Sequence, residues 1–236
     1  MKTNSMRLLI AFFALMTSPL WAQDSTLNPA VANFSVLKVS TGVQVFLTQG
    51  DTESLRIDAR GFDAKDIVAE VEGRELKISI RLQGWLGNNK ANKNNSRYVK
   101  AYLTARQLNE ITVSAGAQLT GDAPFKADKI SLSAKSGAEL TMNLNATDVE
   151  LSAGAGATAA VKGTAKTVTA AASGGATIDA KSLTANTTQA EATSGASVRV
   201  YAENELFLKA STGGSVSHSG PGRIVSRKTS LGGSAN

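Results

Sequence analysis

Apolar and polar positions alternate along most of this chain, and the alternation changes character near residue 110. Val36, Val39, Val43, Val45 and Leu47 are interleaved with polar residues as far as the turn signal Gln49-Gly50-Asp51. Leu55-Arg56-Ile57-Asp58-Ala59 alternates strictly. Period two is the signature of half-buried strands. Residues 62–66 (FDAKD) predict a short helical or looped crossing. Two alternating stretches, 67–71 and 76–80, flank Glu72-Gly73-Arg74 and predict a β-hairpin over 67–80. Val99, Ala101 and Leu103 alternate with Lys100, Tyr102 and Thr104, giving a further strand. Between these lies 83–97, with five Asn, two Gly and no apolar period, which reads as a loop.

From Ile111 the composition shifts to Ala, Ser, Thr and Gly, and a small-residue group recurs. It appears as Ser114-Ala115-Gly116-Ala117, Ser136-Gly137-Ala138 and Gly154-Ala155-Gly156-Ala157. It returns as Ser173-Gly174-Gly175-Ala176, Ser194-Gly195-Ala196 and Thr212-Gly213-Gly214-Ser215. Counting the last Gly of each group, the positions are 116, 137, 156, 175, 195 and 214, in steps of 21, 19, 19, 20 and 19. A fixed period near 20 marks a stacked-repeat architecture. A small apolar strand opens each period: Ile111-Thr112-Val113, Ile130-Ser131-Leu132, Val149-Glu150-Leu151, Val168-Thr169-Ala170 and Leu206-Phe207-Leu208, with a degenerate fifth opener at 187–190. A second alternating stretch follows each Gly group, so each period is expected to hold two or three short strands.

Thr, Ser, Val and Gly are poor helix formers, and the period is two. A low-complexity linker would have the same composition, but here the apolar openers keep register with the Gly groups and the charges do not cluster. The expected fold is therefore all-β: a parallel β-helix of about six or more coils, preceded by a hairpin-containing N-terminal portion. Six coils at the inter-strand spacing stack to roughly 29 Å. The expected organisation is an export signal at 1–22, a polar leader at 23–32, an N-terminal β portion and cap at 33–110, the repeat β-helix at 111–225 and a tail at 226–236.

The N-terminus changes the picture of where the protein works. Lys2 and Arg7 precede nine apolar residues at 8–16, Pro19 breaks the run, and Ala22 offers a small residue for cleavage before Gln23. This is the tripartite secretory pattern, and the run is shorter than the ~20 residues that span a bilayer. The expectation is export to the periplasm or outer cell surface, with cleavage after Ala22 and no membrane span in the mature chain. There is no Cys, so disulfides, Cys-type zinc sites and an N-terminal lipid-modified Cys are excluded. The formal charge of +6 loses Lys2 and Arg7 with the signal. The mild remainder favours solubility and argues only weakly for an anionic partner.

Candidate chemistry is sparse. His218 stands alone between Ser217 and Ser219 with no nearby carboxylate, so neither a Ser-His-Asp site nor a zinc site is indicated. Gly174-Gly175-Ala176-Thr177-Ile178-Asp179 approaches a calcium repeat, but the other periods lack the Asp. Gly154 and Gly156 lack the third Gly and the helix of a phosphate loop. The acidic residues of the repeats fall in different phases, so no carboxylate pair for sugar hydrolysis stands out. No catalytic, cofactor-binding or metal-binding residue is assigned. The asymmetric feature is 76–109, which lacks Asp and Glu but holds Lys77, Arg81, Lys90, Lys93, Arg97, Lys100 and Arg106 among Trp85, Tyr98 and Tyr102. It reads either as a solvated face or as a surface for polyanions or sugars. In the second case the ligand surface is Trp85, Lys93, Arg97, Tyr98, Lys100 and Tyr102.

The segments FSVLKVSTGVQVFLTQG (34–50), LRIDA (55–59), GRELKISI (73–80) and LNEITVSAGA (108–117), followed by the small-residue repeats, resemble the GIN-domain family of exported bacterial proteins, described as heads of autotransporter adhesins. The resemblance covers about residues 33–225. It implies a parallel β-helix and a cell-envelope setting, and it carries over no catalytic residue. The function expected from the sequence is a non-enzymatic envelope protein that binds or scaffolds through β-helix faces, with an envelope protein or glycan as partner and no nucleic acid. The alternative is a carbohydrate-binding or carbohydrate-active β-helix using Trp85, Tyr98 and Tyr102. Self-association through the β-helix end is a third reading.

Overall fold

The computed structural model describes residues 25–81, 83 and 97–236. The export signal expected at 1–22 and most of the 83–97 loop, including Trp85 and Lys93, lie outside the described residues. A short strand β1 (Ser25–Leu27) precedes β2 (Val36–Val39), β3 (Gln44–Gln49) and β4 (Ser54–Arg60). A 3-10 turn at Ala64–Asp66 leads to β5 (Ile67–Glu72) and β6 (Glu75–Ile80), then β7 (Tyr98–Ala105) and β8 (Glu110–Val113). Four long strands follow: β9 (Gln118–Lys135), β10 (Glu139–Gly154), β11 (Thr158–Ala172) and β12 (Thr177–Ala192). The last five are β13 (Ser197–Tyr201), β14 (Glu205–Ser211), β15 (Ser215–Ser219), β16 (Arg223–Ser230) and β17 (Ser234–Ala235). All belong to one hydrogen-bonded sheet, wound into a β-solenoid of about seven turns.

From β8 onward every pairing is parallel and joins one coil to the next. The N-terminal end is different. There β2 lies between β6 and β8, and β3 lies between β7 and β9, all parallel. Antiparallel strands then close the end: β5 on β6 as the expected hairpin, and β4 on β7 with β1 outside it. Antiparallel pairing lets the end of the stack reverse through short turns, as parallel pairing cannot.

The recurring small-residue group is the corner of each coil. Its two central residues both have positive φ, for example Ser136 (54°) and Gly137 (69°), or Ala155 (50°) and Gly156 (72°). The backbone N–H of Ala138 donates to the Lys135 carbonyl at 3.2 Å across the turn, the geometry of a type I′ turn. The corners also bond to one another. The N–H of Gly116 donates to Ser136 O, that of Gly137 to Ala155 O and that of Gly156 to Gly174 O, at 3.0–3.1 Å. The column begins earlier and ends later than the sequence spacing indicates. Thr41-Gly42 heads it, and Leu231-Gly232 closes it, with Gly213 donating to Leu231 O. Eight stacked corners span about 34 Å at the inter-strand spacing.

Three sequence expectations are corrected here. The sixth corner Gly is Gly213, not Gly214. Gly214 occupies the inward position that Ala117, Ala138, Ala157, Ala176 and Ala196 hold in earlier coils, and a Cβ there would collide with the Ala192 carbonyl oxygen. The 226–236 stretch is not a tail: β16 and β17 carry the ladder through it. Four of the periods are not built of separate short strands, because β9 to β12 run almost unbroken from one corner to the next, whereas the last two hold two short strands each, β13 with β14 and β15 with β16.

The uneven steps also have locations. The step of 21 arises at 122–124, where the β9–β10 register shifts between Met142 and Leu144. The step of 20 arises between Asp179 and Ser182, where β12 bulges against β11. Inward side chains form columns along the stack. One column runs Leu37, Ile111, Leu132, Leu151, Ala170, Ala190 and Leu208, all buried. The degenerate fifth opener places Thr188 in another such column, fully buried, where its hydroxyl donates to the Tyr201 carbonyl at 2.8 Å. That bond removes the penalty of an unpaired buried hydroxyl.

Candidate binding face

Strand alternation sorts the N-terminal residues into two faces. Val45, Leu47, Leu55, Ile57, Ala59, Val99, Ala101 and Leu103 point into the core. Their neighbours in the opposite phase point outward: Gln44, Phe46 and Thr48 on β3, Ser54, Arg56, Asp58 and Arg60 on β4, and Tyr98, Lys100, Tyr102 and Thr104 on β7. In-register pairing sets them in rows. Phe46, Tyr102 and Arg56 form one row, and Gln44, Lys100 and Asp58 form the next.

The first row is a stack. The Phe46 and Tyr102 rings lie 5.2 Å apart at 17°, and the Arg56 guanidinium lies 4.6 Å from the Tyr102 centroid on its other side. Phe46 and Tyr102 are 37% and 38% exposed. Partner side chains on adjacent strands stand at about the 4.8 Å strand spacing, which is why three planar groups stack here. Tyr98 supports two more cations, with Lys100 Nζ 5.0 Å and Arg60 Cζ 5.7 Å from its centroid. Such contacts contribute about 0.5–1 kcal/mol each at exposed sites, and they hold the cations upright. Asp58 accepts from Arg56 (3.1 Å) and from the Thr26 hydroxyl (3.2 Å).

Of the six ligand-surface residues expected from sequence, Tyr98, Lys100 and Tyr102 come together on this face. Arg97 does not join them. Its Nε donates to the Gly61 carbonyl at 3.1 Å and its guanidinium covers the Phe62 ring at 4.1 Å, so it packs the connection after β4. Trp85 and Lys93 lie outside the described residues. Phe46 and Arg56 are additions. Their signal was present in the alternation, since Phe46 sits in the polar phase between buried Val45 and Leu47, and Arg56 between buried Leu55 and Ile57.

A concavity of about 580 Å³ adjoins this row, walled on one side by 28–31 and on the other by Arg56, Tyr102 and Thr104. The leader wall is pinned from below. Glu53, with its side chain 8% exposed, accepts a 2.6 Å hydrogen bond from the Asn33 backbone N–H and lies 3.9 Å from Arg106 Nε. Elsewhere on the outer surface, charges pair between coils in register: Asp179 with Arg199 (3.8 Å), Glu191 with Lys209 (2.7 Å) and Glu205 with Arg223 (3.9 Å). Asp148 and Glu150 are both exposed, and Asp148 accepts a hydrogen bond from Thr167 of the next coil. His218 Nδ1 lies 2.6 Å from the Asn236 carbonyl oxygen. Among the described residues, no three His, Cys, Asp or Glu side chains gather as a metal site, and no helix is long and apolar enough to cross a membrane.

No functionally curated protein is significantly similar in sequence to this chain. Solved structures share the fold. A putative adhesin from Bacteroides fragilis NCTC 9343 aligns with TM-score 0.77 and 18% identity over 90% of this chain and 95% of its own. A putative lipid binding protein from Parabacteroides distasonis ATCC 8503 aligns with TM-score 0.65 and 17% identity over 90% and 96%. A putative adhesin from Parabacteroides merdae ATCC 43184 aligns with TM-score 0.63 and 15% identity over 89% and 95%. The model of the family described as "Putative auto-transporter adhesin, head GIN domain" matches residues 33–222, and the chain belongs to that family.

Proposed function

We propose that this protein is an exported, non-enzymatic module of the cell envelope that binds or scaffolds through the lateral faces of its solenoid, and that its main contact surface is the outer face of β3, β7 and β4. Family membership supports the adhesin-like role. The observation that carries the choice of surface is the exposed Phe46–Tyr102–Arg56 stack. Aromatic and Arg side chains dominate the energetics of binding surfaces, whereas the outer faces of the repeats show mostly short polar residues and internally paired charges. The secretory pattern at 1–22 supports export, with cleavage after Ala22.

The test is retention of the mature protein on isolated envelopes of the producing bacterium. The double variant Phe46→Ala/Tyr102→Ala should retain at least about tenfold less strongly, with its circular dichroism spectrum unchanged. Wild-type protein that washes off as freely as an unrelated soluble protein would sink the proposal.

A further inference from the structure

We infer that the face built on β3, β7 and β4 takes an acidic polysaccharide. The inference rests on the binding-face reading above and names its ligand class. Charge is the first argument. The outward charged side chains of these three strands are Arg56, Arg60 and Lys100, set against the single carboxylate of Asp58. Each of these cations lies against a tyrosine ring, so the cationic groups are held in place before a ligand arrives, which lowers the ordering cost of binding. Arg56 also meets Asp58 at 3.1 Å, so the face differs from the repeats in its balance of three cations to one carboxylate, whereas in the repeats Asp179, Glu191 and Glu205 each pair with a cation of the following coil.

The ring geometry supplies the second argument. One face of Phe46 is covered by Tyr102, while its other side borders Thr120, its register partner on β9. A short hydroxyl side chain leaves room beside the ring. The face of an aromatic ring is electron-rich, and the C–H face of a pyranose is weakly electropositive, so the two attract. The surrounding groups are hydroxyls and amides, the chemistry that receives sugar hydroxyls. The Thr48 and Thr104 hydroxyls lie 3.3 Å apart, and Ser54 lies opposite Thr104 across the β4–β7 pair.

Shape is the third argument. The concavity beside Arg56, Tyr102 and Thr104, lined also by Ser54 and by Glu53, whose carboxylate is already engaged by the Asn33 N–H, can seat a sugar ring whose carboxylate turns to Arg56 while the chain runs on toward Phe46. A protein interface would need a larger apolar centre, and on this face the only large exposed hydrophobics among the described residues are Phe46 and Tyr102.

The experiment is calorimetric titration of the mature protein, followed in parallel by backbone-amide NMR, with three probes. These are a galacturonate hexamer, the same hexamer fully methyl-esterified, and inorganic tripolyphosphate. The acidic hexamer should bind and shift amides of β3, β4 and β7, and its affinity should fall with rising salt. Methyl esterification, Phe46→Ala and Arg56→Ala should each weaken it by about tenfold or more. Phe46→Trp should restore binding, which separates loss of the ring from loss of the fold. Tripolyphosphate that binds as tightly as the hexamer, with no effect of Phe46→Ala, would reduce the face to a general anion surface and overturn the inference. So would a hexamer that shifts no amide of the three strands. If the hexamer fails while Phe46→Ala/Tyr102→Ala still loses envelope retention, the ligand class falls and the contact surface stands. If retention is also unchanged, both fall.

Discussion

The N-terminal portion and the repeat portion solve the same packing problem with different side chains. Inward positions up to Leu132 are mostly Leu, Ile and Val: Leu37, Ile57, Leu76, Ile78, Leu103 and Ile111 are all essentially inaccessible. In the middle coils the column of Leu132 and Leu151 narrows to Ala170 and Ala190 before widening again at Leu208, and the column beside it is Ala throughout from Ala134 to Ala210. Small inward residues make a thin coil whose every position is tied to its equivalents above and below. That constraint leaves the outer face of the repeats little freedom, and it carries short polar residues and pairs of opposite charge in register, each of which adds a few tenths of a kcal/mol to the stack. The N-terminal portion is released from the repeat. It inserts antiparallel strands, admits long side chains and collects the exposed aromatic rings. The proposed contact surface therefore sits where the repeat geometry stops dictating the sequence.

The largest effect that tests this comparison is a buried charge in the thin part of the stack. Ala176 is 1% exposed and Thr177, the next residue, faces outward. Ala176→Asp should cost on the order of 3–5 kcal/mol, the scale of an unpaired buried charge, while Thr177→Asp should stay within about 0.5 kcal/mol. Equal denaturation midpoints for the two variants would mean that the phase of the coil is wrong.

Glycine separates corner from side with a somewhat smaller effect. At Gly137 φ is 69° and no atom lies within 4 Å of an added Cβ. Gly137→Ala should therefore cost only about 1–2 kcal/mol for left-handed backbone. The preceding turn residue, Ser136, already carries a side chain at φ 54°. At Gly163 φ is 118° and an added Cβ would sit on the Leu144 carbonyl oxygen of the preceding coil. Gly163→Ala should be worse by a further 1–3 kcal/mol, because the backbone itself must move. Urea unfolding of both variants settles the order, and a Gly163→Ala protein as stable as Gly137→Ala would mean that the coils are not tightly apposed there.

These two glycines also show what could be read from the chain. The corner glycines recur with a period, so they were legible, and so was the parallel stack they imply. Gly163 does not recur, because it answers a local approach of two coils, and nothing in its neighbours marks it. The end of the solenoid is hidden in the sequence for a similar reason. Leu231 replaces the usual Ala, Ser or Thr at its corner and is 80% exposed, so the last group does not look like the others. For the binding face, the chain showed the β7 residues as a basic and aromatic cluster. It could not show that β3 and β4 flank β7, since those pairings join residues 38 to 56 positions apart. Phe46 and Arg56 could be added only once the pairing was known.

A third contrast concerns carboxylates. Glu53 is nearly enclosed and holds the Asn33 N–H, whereas Glu191 pairs with Lys209 on the open surface. Glu53→Gln should cost about 1 kcal/mol through the loss of a charged acceptor. It should also speed amide exchange across 25–34, which Glu53 pins to the end of the stack. Glu191→Gln should change the midpoint by no more than about 0.5 kcal/mol. If Glu53→Gln leaves exchange in the leader untouched, the wall of the concavity is held by something other than this clamp.

The smallest effect lies in the pH dependence of the N-terminal hairpin. Glu72 and Lys77 meet at 2.6 Å across β5 and β6. The hydrogen bond to Lys77, followed by its charge, lowers the Glu72 pKa, and the same bond and charge raise that of Lys77. A lowered carboxylate pKa gives stability that is present above its ordinary value and lost as the pH falls through the lowered one. A raised lysine pKa gives stability that is present below its ordinary value and lost as the pH rises through the raised one. The pair thus supports the hairpin across the neutral range and fades at both extremes. Both groups are open to solvent, so the effect is screened and salt-sensitive. Lys77→Met should lower the midpoint slightly at neutral pH and low salt, and the difference from wild type should vanish below the carboxylate range, where Glu72 is protonated in both proteins. A difference of the same size at neutral and strongly acid pH would assign the loss to the lysine's aliphatic packing on the hairpin and not to its charge.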